Sequence, residues 1–359
     1  MELVSIPSPS GNELDVGHYI KERLAAEGID AHFDDSGKNN DSNSGNLIAT
    51  IDGSGHTLLF LAHMDTVEQG KTTPIIEGDT IKTDGNSILG ADNKASVAPL
   101  MHAIISAKKK GGNPKIIAAF TTREENGSMG AGFLDLKEHV DFVFVVDGSN
   151  KTGTFINKAL GQMPFYVEIT GKEVHAAKDP EKGANAIKAA GIMLTALDIG
   201  KKQDGSTLNI GTISGGTFVN VVPGKVVMKG EARAYEQNRI NERLVEIENA
   251  ASSACEKTGC TYSIRKIEEE GAPAFSIEPS NKIVELAKKA SAATGVEFNL
   301  DSLNGTCEAN VISGKFDNII CMSRGGNMPH SKNESITKQE LKAAETLIEN
   351  LIFGARDFA

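Results

Sequence analysis

Seven residues of this chain have types and positions suited to chemistry. His63 and Asp65 follow the apolar run Leu58-Leu59-Phe60-Leu61-Ala62. Glu124 and Glu125 follow Ile116-Ile117-Ala118-Ala119-Phe120 after the short segment Thr121-Thr122-Arg123. Asp147 comes straight after Val145-Val146, and His330 a few residues after Ile319-Ile320-Cys321-Met322. Asp92 stands in Leu89-Gly90-Ala91-Asp92-Asn93-Lys94, just before a helical stretch. Brought into one crevice, the carboxylates of Asp92, Glu125 and Asp147 would repel and raise one another's pKa, and a divalent cation removes that cost. With the imidazoles of His63 and His330 they form a mixed set that suits zinc, and also manganese or cobalt. Such a set exceeds what a single tetrahedral zinc needs and suits two ions if one carboxylate bridges them. A two-ion site activates a water and polarises a carbonyl. Asp65 is placed to accept the second ring N–H of His63 and fix its tautomer. Glu124 precedes a ligand and so remains free to act as general base. Taken singly these residues have ordinary readings, Asp92 as a helix N-cap and Glu124-Glu125 as a solvated pair. The case rests on all of them falling, in order, at the ends of apolar runs.

The elements that must position them follow from hydrophobic periodicity. Continuous apolar runs at 58–61, 116–120, 142–146 and 318–322 read as strands buried on both faces. Helical spacing marks 16–27, 93–109, 281–293 and 338–353. Segment 34–45, rich in Asp, Ser, Asn and Gly, reads as a loop. Alternating strands and helices imply an α/β fold with a mostly parallel sheet. Ligands bind such sheets beyond the carboxyl ends of the strands. The middle of the chain differs. Strands at 165–170, 207–213, 226–234 and 261–267 interleave with helices at 184–197 and 238–257. That β-α-β-β-α-β order is a ferredoxin-like α+β unit, an antiparallel sheet with helices on one face. The expected organisation is a discontinuous catalytic domain, 1–157 and 271–359, interrupted by an inserted domain, 158–270.

Composition narrows the function classes. Of 359 residues, 39% are hydrophobic and 24% charged, which are globular values. Acids outnumber bases 48 to 37, a net charge of -11 that disfavours nucleic acid as a partner. No apolar stretch reaches the roughly 18 residues of a membrane span. Met1-Glu2-Leu3-Val4 is not a basic region followed by an apolar core, so no signal peptide is expected, and 4 cysteines without a CxxC pair suggest neither a disulfide framework nor thiolate metal binding. The expected compartment is the cytoplasm.

The segments His63-Met64-Asp65-Thr66-Val67, Gly90-Ala91-Asp92-Asn93-Lys94, Thr121-Thr122-Arg123-Glu124-Glu125, Val146-Asp147-Gly148 and His330-Ser331 together resemble the di-zinc exopeptidases that include peptidase T, carboxypeptidase G and the aminoacylases. The peptidase T-like tripeptide aminopeptidases are resembled in particular, since there the acidic pair is followed by Gly-Ala, as in Met129-Gly130-Ala131. The resemblance implies that His63, Asp92 and Asp147 bind one ion and that Asp92, Glu125 and His330 bind the other, with Asp92 bridging. It implies Asp65 as orienter of His63 and Glu124 as base. It also implies that the inserted domain is a lid and dimerisation domain. Its His175, in Gly171-Lys172-Glu173-Val174-His175-Ala176, would reach the partner subunit's active site and stabilise an oxyanion. Asn220 and Arg233 match positions that contact substrate carboxylate in relatives. The chain departs from the family pattern at Arg123, where an acid is common, at Glu173-Val174, where small residues are usual, and at Cys307-Glu308-Ala309-Asn310, which replaces Ser-Asp-Ala-Asn. The expected activity is hydrolysis of short peptides. The alternatives are deacylation of N-acyl amino acids on the same architecture, or a non-catalytic binding protein.

Overall fold

Apolar runs too short for helices and without polar alternation become the inner strands of one sheet. The computed structural model describes residues 1–67, 70–268, 271–356 and 358. The chain forms two units, the first made of Met1–Lys158, Ile277–Leu303 and Cys307–Ala359, the second of Ala159–Ser276 and Asn304–Thr306.

The first unit opens with α1 (Leu14–Ala25), β1 (Ala31–Phe33), the short α2 (Gly37–Asn40), β2 (Leu47–Ile51) and β3 (Thr57–His63). A hairpin of β4 (Pro74–Glu77) and β5 (Thr80–Thr83) precedes α3 (Ala91–Lys110), β6 (Lys115–Thr121), α4 (Met129–Gly132), β7 (Phe142–Val146) and β8 (Thr154–Ala159). The second unit holds β9 (Gly161–Thr170), α5 (Ala186–Ala196), β10 (Gly200–Lys201), β11 (Thr207–Gly215), β12 (Lys225–Ala234), α6 (Gln237–Thr258), β13 (Thr261–Lys266) and β14 (Phe275–Ser276). The chain then returns with α7 (Lys282–Thr294), β15 (Asn299–Leu303), α8 (Glu308–Ile312), β16 (Ile319–Met322), β17 (Ser335–Thr337) and α9 (Lys338–Arg356).

The large sheet runs β1-β2-β6-β3-β7-β16-β8. Its centre, β6-β3-β7-β16, is parallel, and β1, β2 and β8 flank it antiparallel. Register pairs His63 with Thr121 and Met322 with Val146, so the carboxyl ends of the parallel strands finish nearly level. The chain leaves β3 for β6 on one side and then crosses to β7 on the other, which makes a topological switch point at β3.

Leu58, Phe60 and Ala62 share a core with Val16, Ile20 and Leu24 of α1, Leu100 and Ile104 of α3, Val284 of α7 and Leu347 and Leu351 of α9. Leu59 and Leu61 alternate to the opposite face and are just as buried. Both faces are therefore covered, which is why β3 reads as an unbroken apolar run. Phe60 stacks on Phe144 with ring centroids 5.3 Å apart.

In the second unit the strand order is β10-β11-β12-β9-β13, antiparallel throughout. Phe165, Val167 and Ile169 of β9 bury against Met193 of α5 and Ile247 and Ala251 of α6. The two-residue β10 is an addition to the expected order. The unit also runs past residue 270 to Ser276. The reason is backbone pairing: Gln162 N–H donates to the Ala272 carbonyl at 2.8 Å and Ala272 N–H returns the bond at 2.9 Å. The segment 34–45, read as loop, contains α2.

Phe60→Ala removes one partner of the stacked pair from the centre of this core. The expected loss is about 3–5 kcal/mol of unfolding free energy, measured as a lower denaturant midpoint with an unchanged slope.

Candidate metal centre

His63 is the last residue of β3, and its loop is tied at once to neighbouring strands. Met64 N–H donates to the Thr121 carbonyl at 2.8 Å and Thr66 N–H to the Ser8 carbonyl at 2.9 Å. The ring Nδ1 of His63 lies 2.9 Å from the backbone carbonyl oxygen of Asp65 and 3.3 Å from Asp65 Oδ1. Nδ1 thus faces acceptors, which leaves the lone pair on Nε2. The Asp65 carboxylate has a second task that the sequence did not reveal. It accepts Glu124 N–H at 2.9 Å, Glu125 N–H at 3.2 Å and the Ser10 hydroxyl. One side chain therefore aligns the histidine and the acidic pair.

The turn carrying that pair begins with Arg123 in a left-handed conformation, φ 53°. Arg123 N–H donates to Glu13 Oε1 at 3.1 Å, and its guanidinium donates to the Asn40 carbonyl at 2.8 Å and the Asp41 carbonyl at 3.2 Å. The arginine that replaces a common acid thus serves the carbonyl end of α2.

Asp92 stands in the first turn of α3 but is not helical, with φ -81° and ψ 101°, and the peptide bond to Asn93 is cis. Glu334, buried, accepts Asp92 N–H at 2.8 Å through Oε1 and Gly90 N–H at 2.7 Å through Oε2. Asn93 donates from Nδ2 to the Val146 carbonyl at 2.9 Å, which ties this turn to the end of β7. Asp147 is the next residue and accepts Gly148 N–H at 2.6 Å. His330, on a loop after β16, has φ 60° and places Nε2 at 2.9 Å from Glu125 Oε1 and 3.4 Å from Asp92 Oδ2.

These contacts bring six residues together in overlapping groups: His63–Asp92–Asp147, Asp92–Glu125–His330 and His63–Glu124–Glu125, each with ligand atoms within 4.8 Å of one another. His63 Nε2 is 3.5 Å from Asp92 Oδ1 and 3.8 Å from Glu124 Oε2. Asp92 therefore shows one oxygen to each histidine. Its Oδ1 is buried without a hydrogen-bond partner.

The electrostatics suit a cation. Burial raises the Glu124 carboxyl well above its ordinary range, and Asp147, Glu308 and Glu125 add to the rise against the pull of His63. Burial brings Glu125 up to about 7, and it raises Asp147 with help from Asp92. Among the candidate ligand carboxylates Asp92 is held well below the usual range despite its burial, by the close imidazoles of His330 and His63 and by the charge of Arg324. A crowd of acids that resists ionisation, an orphaned carboxylate oxygen and two imidazoles make a donor set that fits divalent ions.

The remaining candidates lie in the second unit. His175 is exposed, forms a bridge to Val221 and accepts Ala177 N–H on Nδ1 at 3.1 Å. Asn220 is exposed, and its carbonyl accepts Ala176 N–H at 2.9 Å. Arg233, on β12, is clasped by Glu231 two residues away, Nε to Oε1 at 2.9 Å and Nη2 to Oε2 at 3.0 Å. Sequence reasoning missed Ser10, Asn93, Glu308, Arg324 and Glu334. Asn93 and Glu308 lie in segments that the family resemblance singles out, but their own contacts are to residues distant in sequence; Ser10, Arg324 and Glu334 have no periodicity or motif that marks them.

Glu334→Ala deletes both acceptors of the Gly90–Asp92 turn. Metal affinity should fall about 10–100-fold, read by chelator competition on protein whose circular dichroism is unchanged.

Residues 158–259 match the peptidase dimerisation domain of the M20 peptidases, and residues 46–182 match peptidase family M28. The uncharacterised protein YqjE of Bacillus subtilis is 32% identical over 97% of this chain and 95% of its own length. Peptidase T of Shouchella clausii is 26% identical over 97% of this chain and 92% of its own length. The crystal structure of aminopeptidase PepT from Bacillus cereus superposes with a TM-score of 0.92 at 29% identity, covering 99% of this chain and 96% of that one. This chain belongs to the M20 family of metal-dependent peptidases, in its peptidase T-like branch.

Proposed function

We propose that the chain is an aminopeptidase of short peptides that works with two divalent ions, zinc foremost. The observation that carries this reading is the pair of ligand groups that share Asp92, one completed by His63 and Asp147 and the other by Glu125 and His330. When bound, the ions supply the positive charge that acidifies a water and polarises the scissile carbonyl.

The protein's own residues handle the proton. Asp65 keeps the Nδ1 side of His63 occupied and so fixes the orientation of Nε2. Glu124 accepts the Ser128 hydroxyl on Oε1 at 3.2 Å and turns Oε2 toward His63. In this reading Glu124 takes the proton of the attacking water as the new C–O bond forms. It then delivers that proton to the peptide nitrogen as the C–N bond breaks, so the carboxylate is regenerated.

His175 is proposed as the donor to the developing oxyanion, with Asn220 and Arg233 as contacts for the peptide's carboxylate. The proposed assembly is a homodimer through the second unit. Strand β10 covers only Thr207 and Leu208 of β11, which leaves the rest of that edge for a second copy. The proposed compartment is the cytoplasm. Among the described residues no helix is long and apolar enough to cross a membrane.

Glu124→Gln should lower kcat by about 10²–10⁴-fold while metal content stays at the wild-type level; loss of metal would make Glu124 a ligand instead. His175→Ala should lose about 10²–10³-fold with metal unchanged. Mixing the two variants should restore part of the activity after subunit exchange, since a mixed dimer assembles one site with both residues; no recovery despite demonstrated exchange means that His175 does not act in trans. Di- and tripeptides with free amino termini should be hydrolysed and N-acyl amino acids should not. The reverse preference would make the chain a deacylase.

A further inference from the structure

Arg324 is a buried guanidinium for which the proton chemistry above has no use. It lies two residues beyond β16 and is 1% exposed. Its backbone is fixed, with N–H donating to the Gly148 carbonyl at 3.1 Å and the carbonyl accepting the Thr152 hydroxyl at 3.1 Å. Its side chain is fixed as well. Nε donates to Asn93 Oδ1 at 3.1 Å, and Nη1 donates to the Gly325 carbonyl. These anchors leave Nη2 buried without a hydrogen-bond partner, 3.2 Å from Asp92 Oδ1, which is itself unpartnered.

The placement is one-sided. Asp92 Oδ1 is the oxygen that faces His63 at 3.5 Å, whereas Oδ2 faces His330 at 3.4 Å. Arg324 acts electrostatically on Asp92 and on Asp147, both members of the His63 group. A guanidinium cannot relieve a repulsion by losing its proton. Buried charges are also poorly screened by salt. Arg324 therefore competes for the Asp92 oxygen that faces His63, and its permanent positive charge acts on both carboxylates of the His63 group but on only the shared Asp92 of the other.

We propose that Arg324 makes the two ion positions unequal, weakening the His63–Asp92–Asp147 position relative to the Asp92–Glu125–His330 position. This rests on the two-ion reading above. One ion is then a resident and the other exchanges, so activity follows the free concentration of the metal. Arg324 is a positioning residue in this scheme: it touches a ligand, not the substrate.

The test is a titration of zinc-loaded wild-type protein with a chromophoric chelator, with total zinc counted by elemental analysis. Two zinc ions should leave in separate steps. In Arg324→Met the weaker step should tighten by about 10-fold or more, the scale of outer-sphere effects on metal sites, while the stronger step stays in place. Arg324→Lys, which keeps a positive charge there, should retain most of the separation. Arg324→Gln, which keeps an N–H for Asn93, stands in if the methionine variant does not fold. Asp147→Asn should abolish the weaker step and spare the stronger. Two ions leaving wild type in a single step, an unchanged separation in both neutral variants, or an equal loss of both ions in them would overturn the role of Arg324 and leave the two-ion reading standing. A wild type that never holds more than one ion overturns both.

Discussion

Carboxylates repel one another most strongly where water cannot separate them, and the first unit gathers Glu124, Glu125, Asp147 and Glu308 into one buried neighbourhood. Burial drives all of them toward the neutral form, Glu308 to about 7. A fold that left this charge uncompensated would lose stability at the pH where it must work. The compensations are visible in the structure. His63, His330 and Arg324 supply positive charge, and backbone N–H groups at Gly90, Asp92, Glu124, Glu125 and Gly148 are spent on Glu334, Asp65 and Asp147. What these leave over is the charge that divalent ions would neutralise.

Holding such a cluster requires rigid supports, and the parallel centre of the sheet provides them. Strands β3, β6 and β7 end nearly level, so short loops suffice to bring their polar residues together. Those loops are pinned by acids that do not themselves form ligand groups. Asp65 holds the 124–125 turn, Glu334 the 90–92 turn and Glu13 the residue between them and α2. Stability and chemistry thus draw on the same side chains, and a change at a support is felt at the cluster.

The buried strands and the polar residues at their ends were legible in the sequence because one physical cause sets both: a strand covered on two faces must be apolar throughout, and its first polar residue marks where it leaves the core. The inserted α+β order was legible for a similar reason, through β9 and β12, whose buried and half-exposed residues alternate. The hairpin β4–β5 and its partner β17 were not. Ile75 and Ile76 are exposed, so their apolar character carried no burial signal. The carboxyl boundary of the second unit was hidden because it depends on the pairing of Gln162 with Ala272, a contact across more than a hundred residues of chain. Arg324 and Glu334 were invisible for the same reason, since their partners Asn93 and Asp92 are distant in sequence.

The insertion of the second unit into the first sets an order of assembly. Residues 1–158 leave the ribosome with β3, β6 and β7 but without β16, α7 or α9, so the Phe60 face of the sheet waits with only α1 and α3 to cover it. The second unit, almost wholly contiguous in sequence, holds its core within 159–276 and is ready to fold during that wait. His330 and α9 emerge only after the whole of the second unit. The acid cluster is then closed by a segment made after the second unit, and a nascent chain that stops short of His330 lacks one member of the candidate metal centre.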